Sequence, residues 1–131
     1  MAGGRGSRLD RGEKPLFEIG GRPMVDRVLA ALAASAVEHV RVVTSPNTPK
    51  TKAHVSVPTV ETPGDGYVAD LERALEGVDP PVLTVTADLP LLTGAVVDAV
   101  LEATDDASTT VFVPADLPRR LGATVDRTTT V

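Results

Sequence analysis

The chain has 131 residues, 42% of them apolar, so it can bury a core and is one domain by length. Aromatic residues are only 2% and the net charge is −5, which argues against a base-stacking platform and against a duplex-binding surface. With no cysteine there is no disulfide, thiolate metal site or cysteine nucleophile.

The basic residues are ten Arg and three Lys, and Asp outnumbers Glu. Salt-loving archaea use this mix to keep an acidic surface hydrated, and a gene rich in G and C gives the same bias. No run is apolar enough to span a membrane and no leader is evident, so a cytoplasmic location is the default expectation.

Residues 1–15 read as a glycine-rich, charged loop. In Gly3-Gly4-Arg5-Gly6-Ser7-Arg8 the glycines let successive N–H groups turn toward one point and form an anion nest. Arg5, Arg8 and the following Lys14-Pro15 add the positive charge that a triphosphate needs. The spacing is neither a P-loop nor a dinucleotide fingerprint. Apolar residues at 24, 25, 28, 29 and 32 predict a helix over 24–34. Val40–Thr44 reads as a buried strand, 45–52 as a polar, turn-rich loop, and Val55–Glu61 as a second strand.

Gly64-Asp65-Gly66 is a second glycine loop, ahead of a helix over Tyr67–Leu75 with Val68, Leu71 and Leu75 on one face. Val82–Thr86 is a third strand, leading into Ala87-Asp88-Leu89-Pro90. A helix over Gly94–Glu102 turns Val96, Val97, Val100 and Leu101 inward, and Thr109–Val113 is a fourth strand. Strands alternating with helices imply a Rossmann-like α/β fold with a mainly parallel sheet. Asp88 stands at the carboxyl end of a strand, where such sheets bind ligands. It suits a Mg²⁺ ligand, or alternatively a turn Asp before Pro90.

Several segments together resemble the nucleotidyltransferase superfamily that includes the sugar-phosphate and molybdopterin enzymes. They are Met1–Arg8, Glu13-Lys14-Pro15-Leu16 and Gly21-Arg22-Pro23-Met24-Val25-Asp26, followed by Thr44–Lys52 and Gly64–Leu71. Within it, Ser45-Pro46-Asn47-Thr48-Pro49-Lys50-Thr51-Lys52 resembles the archaeal adenosylcobinamide-phosphate guanylyltransferases. The resemblance implies a three-layer fold and transfer of GMP from GTP to adenosylcobinamide-phosphate, with Mg²⁺ as cofactor and without nucleic acid or membrane. The oligomeric state stays open.

By the same resemblance, Gly3, Gly4, Arg5, Gly6 and Ser7 cradle phosphates. Arg8 and Lys14 carry catalysis, with Lys14 stabilising the transition state, and Asp88 holds the metal. Ser45 and Asn47 are candidates for the guanine edge, and Gly66 lies in the glycine segment of the same crevice. Asp70 either pairs with guanine or opens its helix. Lys50 and Lys52 meet phosphate or solvent. His39 and His54 are expected at the surface, and Tyr67 in packing. The resemblance also implies a strand before Met1 and more chain after Val131, so the sequence reads as incomplete at both ends and as unstable or inactive in isolation.

Overall fold

The computed structural model describes residues 1–2 and 12–104. The chain divides into two compact units, Met1–Leu101 and Glu102–Val131. The first holds the elements that position the site. The predicted strand over Thr109–Val113 lies outside the described residues.

The architecture is mixed α/β, as expected. A short 3-10 helix, Lys14–Leu16, leads into the hairpin β1 (Glu18–Ile19) and β2 (Arg22–Pro23). Gly20 and Gly21 make its two-residue turn with φ of +60° and +73°, the paired positive values that a type I′ turn demands. Arg27 ties this hairpin to the next helix by donating from Nε to the Ile19 carbonyl at 2.9 Å.

Helix α1 (Met24–Ala33) forms where the 3.6-residue spacing placed it. It buries Met24, Val25, Val28, Ala31 and Leu32. Strand β3 (Val42–Thr44) is wholly buried and pairs in parallel with β4 (Thr59–Glu61), Val43 opposite Val60. Helix α2 (Pro49–His54) makes the crossover. Helix α3 (Tyr67–Leu75) and helix α4 (Gly94–Ala103) complete the described elements. Among the described residues no helix is long and apolar enough to cross a membrane.

Two apolar clusters flank α1. Ala2, Val25, Val42 and Ala87 form one, and Val28, Leu32 and Val97 form the other, joining α1 to α4. Gly94 admits this approach. A Cβ there would lie 2.8 Å from the carbonyl carbon of Ala34, at the end of α1, closer than real Cβ atoms come. Asp98 fastens the same corner by accepting from the Ala36 amide at 2.7 Å.

Five expectations change. Among the described residues Val82–Thr86 carries no strand ladder. Among the described residues its backbone meets residues 1–2: the Met1 amine donates to the Val85 carbonyl at 2.6 Å, and the Ala87 amide donates to the Met1 carbonyl at 3.1 Å. Ala2 donates in turn to the Val43 carbonyl of β3 at 2.9 Å. Beside Val82–Thr86 lies a cavity of about 700 Å³ whose lining includes Leu29, Val43, Leu71, Leu75 and Val85.

Residues 45–52, expected as a loop, contain the start of α2. The strand expected over Val55–Glu61 is confined to its last three residues, because α2 runs to His54 and Val55 serves as its C-cap. Two helical faces are also narrower than expected. Val68 and Val96 are 67% and 51% exposed, because each helix meets the core on one side only. Tyr67, placed at the start of α3 after the glycine loop, is exposed rather than packed.

Candidate functional site

Lys14 and Asp88 come together from 74 residues apart. The Lys14 ammonium donates to Asp88 Oδ2 at 2.5 Å. Partial burial pushes the Asp88 carboxyl up. Hydrogen bonds from Lys14 and the Thr86 hydroxyl, the Lys14 charge and its own backbone amide outweigh this and hold it below the usual range. Asp88 is therefore a carboxylate, half-exposed, in the turn that follows Val82–Thr86.

Whether Mg²⁺ fits here is decided by the donor set. Among the described residues no three His, Cys, Asp or Glu side chains cluster as a closed metal cage would need. A lone anionic carboxylate nevertheless suits Mg²⁺, which keeps several waters and takes one or two carboxylates plus substrate phosphate.

Beside Lys14, Glu13 does something that spacing in the sequence did not show. Its Oε1 accepts from the Lys50 amide at 2.8 Å. Its Oε2 accepts from the Thr51 amide at 2.6 Å and the Thr51 hydroxyl at 2.7 Å. Helix α2 has no side-chain cap from its own N-cap Thr48, so Glu13 caps it from outside. Slight burial raises the Glu13 carboxyl, and the bonds from Thr51 and Lys50 with the Lys50 charge more than reverse that, leaving it lowered.

The Thr48 hydroxyl is used elsewhere. Ser45 through Thr48 form a turn closed by the Thr48 amide on the Ser45 carbonyl at 2.9 Å. The Thr48 hydroxyl accepts from the Ser45 amide at 3.1 Å, and the Ser45 hydroxyl accepts from the Asn47 amide at 3.2 Å. Ser45 is thus buried inside the turn, whereas Asn47 stands exposed at its tip.

The second glycine loop packs on this turn. Gly64 has φ +80°, and a Cβ on it would lie 3.0 Å from Asn47 Nδ2 and 3.2 Å from Ser45 Cβ. Asp70 is buried in the first turn of α3, and its Oδ1 accepts from the Gly64 amide at 2.8 Å. Gly66 is the N-cap of α3, with φ +134°. Ser45, Asn47 and Asp70 therefore join through Gly64, and Glu13 links Lys14 and Asp88 to the same turn through α2.

Gly3, Gly4, Arg5, Gly6, Ser7 and Arg8 lie outside the described residues. Lys52 pairs with Glu61, and His54 lies on the Asp26 carboxylate at 2.9 Å. His39 is exposed. The 700 Å³ cavity is not part of this site, since neither Lys14, Asp88, Ser45 nor Asn47 lines it. Sequence reasoning passed over Glu13, Thr51 and Gly64. The available signals were an acid next to Lys14 and Pro49 in the first helical position.

The sequence profile of the MobA-like NTP transferase domain matches residues 1–125. Over 110 residues the chain is 34% identical to adenosylcobinamide-phosphate guanylyltransferase of Methanocaldococcus jannaschii, covering 78% of this chain and 56% of that protein. It is 36% identical over 127 residues to the bifunctional protein GlmU of Rhodospirillum rubrum, covering 88% of this chain and 28% of that one. It is 33% identical over 79 residues to molybdenum cofactor guanylyltransferase of Rhodopseudomonas palustris, covering 60% and 37%. The chain spans little more than half the length of the first of these relatives and less of the others. With the profile matched from Met1 through residue 125, and with Lys14, Asp88 and the Asn47 turn gathered at one place, the chain belongs to the MobA-like NTP transferase domain family.

Proposed function

We propose that this chain carries the nucleotide site of a guanylyltransferase that moves GMP from GTP to adenosylcobinamide-phosphate and releases pyrophosphate. The observation that carries this reading is the Ser45–Lys52 segment. It forms a turn and helix fastened beside Lys14, and it lies in a chain 34% identical to an enzyme of that name.

An oxygen of the acceptor phosphate attacks the α-phosphorus of GTP in line. The new P–O bond forms as the bond to the bridging oxygen of pyrophosphate breaks, and the electron pair leaves with pyrophosphate. The chain's part is positioning and charge balance. Lys14 brings a positive charge to the phosphates, helped by Arg8 and the amides of Gly3, Gly4, Arg5, Gly6 and Ser7. Asp88 would hold Mg²⁺, which when bound would supply charge neutralisation at the phosphates. Asn47, exposed at its turn, reads the guanine edge, with Ser45 fixing the turn and Gly66 and Asp70 shaping the facing wall.

The test is an acceptor panel with GTP and Mg²⁺, read as pyrophosphate release. Adenosylcobinamide-phosphate should be the preferred acceptor. Turnover only with molybdopterin or a sugar 1-phosphate would move the chain to one of the other branches that its relatives represent. GTP binding without release on any acceptor would make it a binding module.

A further inference from the structure

Glu13 holds two parts of the site at one spacing. Its carboxylate takes three hydrogen bonds from the first turn of α2, at 2.6 to 2.8 Å. Thr51, which supplies two of them, is completely buried. On the other side, Glu13 is joined by a peptide bond to Lys14. Its carbonyl accepts from the Leu16 amide at 3.0 Å and so begins the 3-10 helix that carries Lys14 and the buried Pro15. Helix α2 is equally short of freedom at its start. Its N-cap Thr48 closes the Ser45 turn that presents Asn47.

The path from Lys14 to Asn47 therefore runs through one carboxylate and short, hydrogen-bonded pieces. A side chain placed to cap a helix needs only one good acceptor contact. Glu13 makes three, from 37 and 38 residues away.

We propose that Glu13 is a positioning residue that couples base recognition to phosphate recognition. By fixing Lys14 relative to the Asn47 turn, it favours a ligand that presents guanine and a polyphosphate at the correct separation. This rests on the proposed roles of Lys14 at the phosphates and Asn47 at the guanine edge. A nucleoside monophosphate is too short to engage both ends, so its base is read without the ruler. Base and phosphate contributions should then be non-additive in the intact chain and additive once the clamp is cut.

The experiment is the affinity of the whole chain for GTP, ATP, GMP and AMP, with Mg²⁺ and no acceptor, measured by calorimetry. Wild type should prefer GTP over ATP by at least five-fold more than it prefers GMP over AMP. In Glu13→Ala the two preferences should agree within about a factor of two. Glu13→Gln and Thr51→Val, which each leave part of the clamp, should lie between. They also serve if the alanine variant does not fold. Variants that melt lower yet keep the wild-type difference would reduce Glu13 to a helix cap and overturn the proposal. Equal preferences in wild type would also overturn it. A wild-type chain that binds no GTP would sink the functional reading itself, so the two failures are distinguishable.

Discussion

At the scale of single residues, the Lys14–Asp88 pair is the centre of the proposed chemistry. It is about half exposed, so as an ion pair it adds little stability, roughly 0–1 kcal/mol. Lys14→Met should therefore leave the melting temperature nearly unchanged. It should lower kcat by about a hundred-fold or more, the usual cost of losing a charge placed for the transition state. Pyrophosphate release and a thermal melt on the same sample check both halves. Glu13 behaves differently. Its carboxyl is lowered on folding, so its contribution is complete above the ordinary glutamate value near 4.3 and is lost as pH falls through the lower folded value. Urea midpoints of wild type and Glu13→Gln should differ at pH 7 and converge toward pH 3.

At the scale of elements, local pattern and long-range contact divide the outcome. Helices α1, α3 and α4 were legible because their apolar spacing is local, and β3 because its β-branched run is buried. Helix α2 was not legible, since the group that caps it arrives from Glu13. Val82–Thr86 has strand composition, but a ladder needs a neighbour, and composition carries no neighbour. The site followed the same division. Lys14, Asp88 and Asn47 could be named as candidates from residue type and family resemblance. The packing of Gly64 is legible only once Asn47 is seen against it.

Two glycines test this packing. Gly64→Ala meets both a positive φ and the Ser45–Asn47 turn, and should cost about 1–3 kcal/mol in urea unfolding while weakening GTP binding. Gly94→Ala presses on the Ala34 backbone, which cannot step aside as a side-chain end can. It should cost at least as much, with no specific effect on nucleotide selectivity.

At the scale of the whole molecule, the charge of −5 and the Arg-rich, Lys-poor balance permit an opposite pair of origins, salt adaptation or base composition. We expect salt adaptation, so the melting temperature should rise steadily as KCl is taken from 0.1 to 2 M, because screening relieves net repulsion. The exposed ion pairs Lys52–Glu61 and Arg73–Glu76 oppose that trend, but each contributes little. A flat or falling curve would assign the composition to the genome instead.

The clamp of Glu13 on α2 also has a kinetic meaning. It closes a ring of chain from residue 13 to residue 51 that contains the hairpin, α1 and β3. Such a ring closes late in folding, because its ends must wait for the elements between them. An interaction absent from the folding transition state slows escape from the native state without hastening arrival. Stopped-flow chevrons should accordingly show Glu13→Ala with an unchanged refolding limb and a faster unfolding limb. The residue that sets the span of the site would then also set how long the site persists once formed.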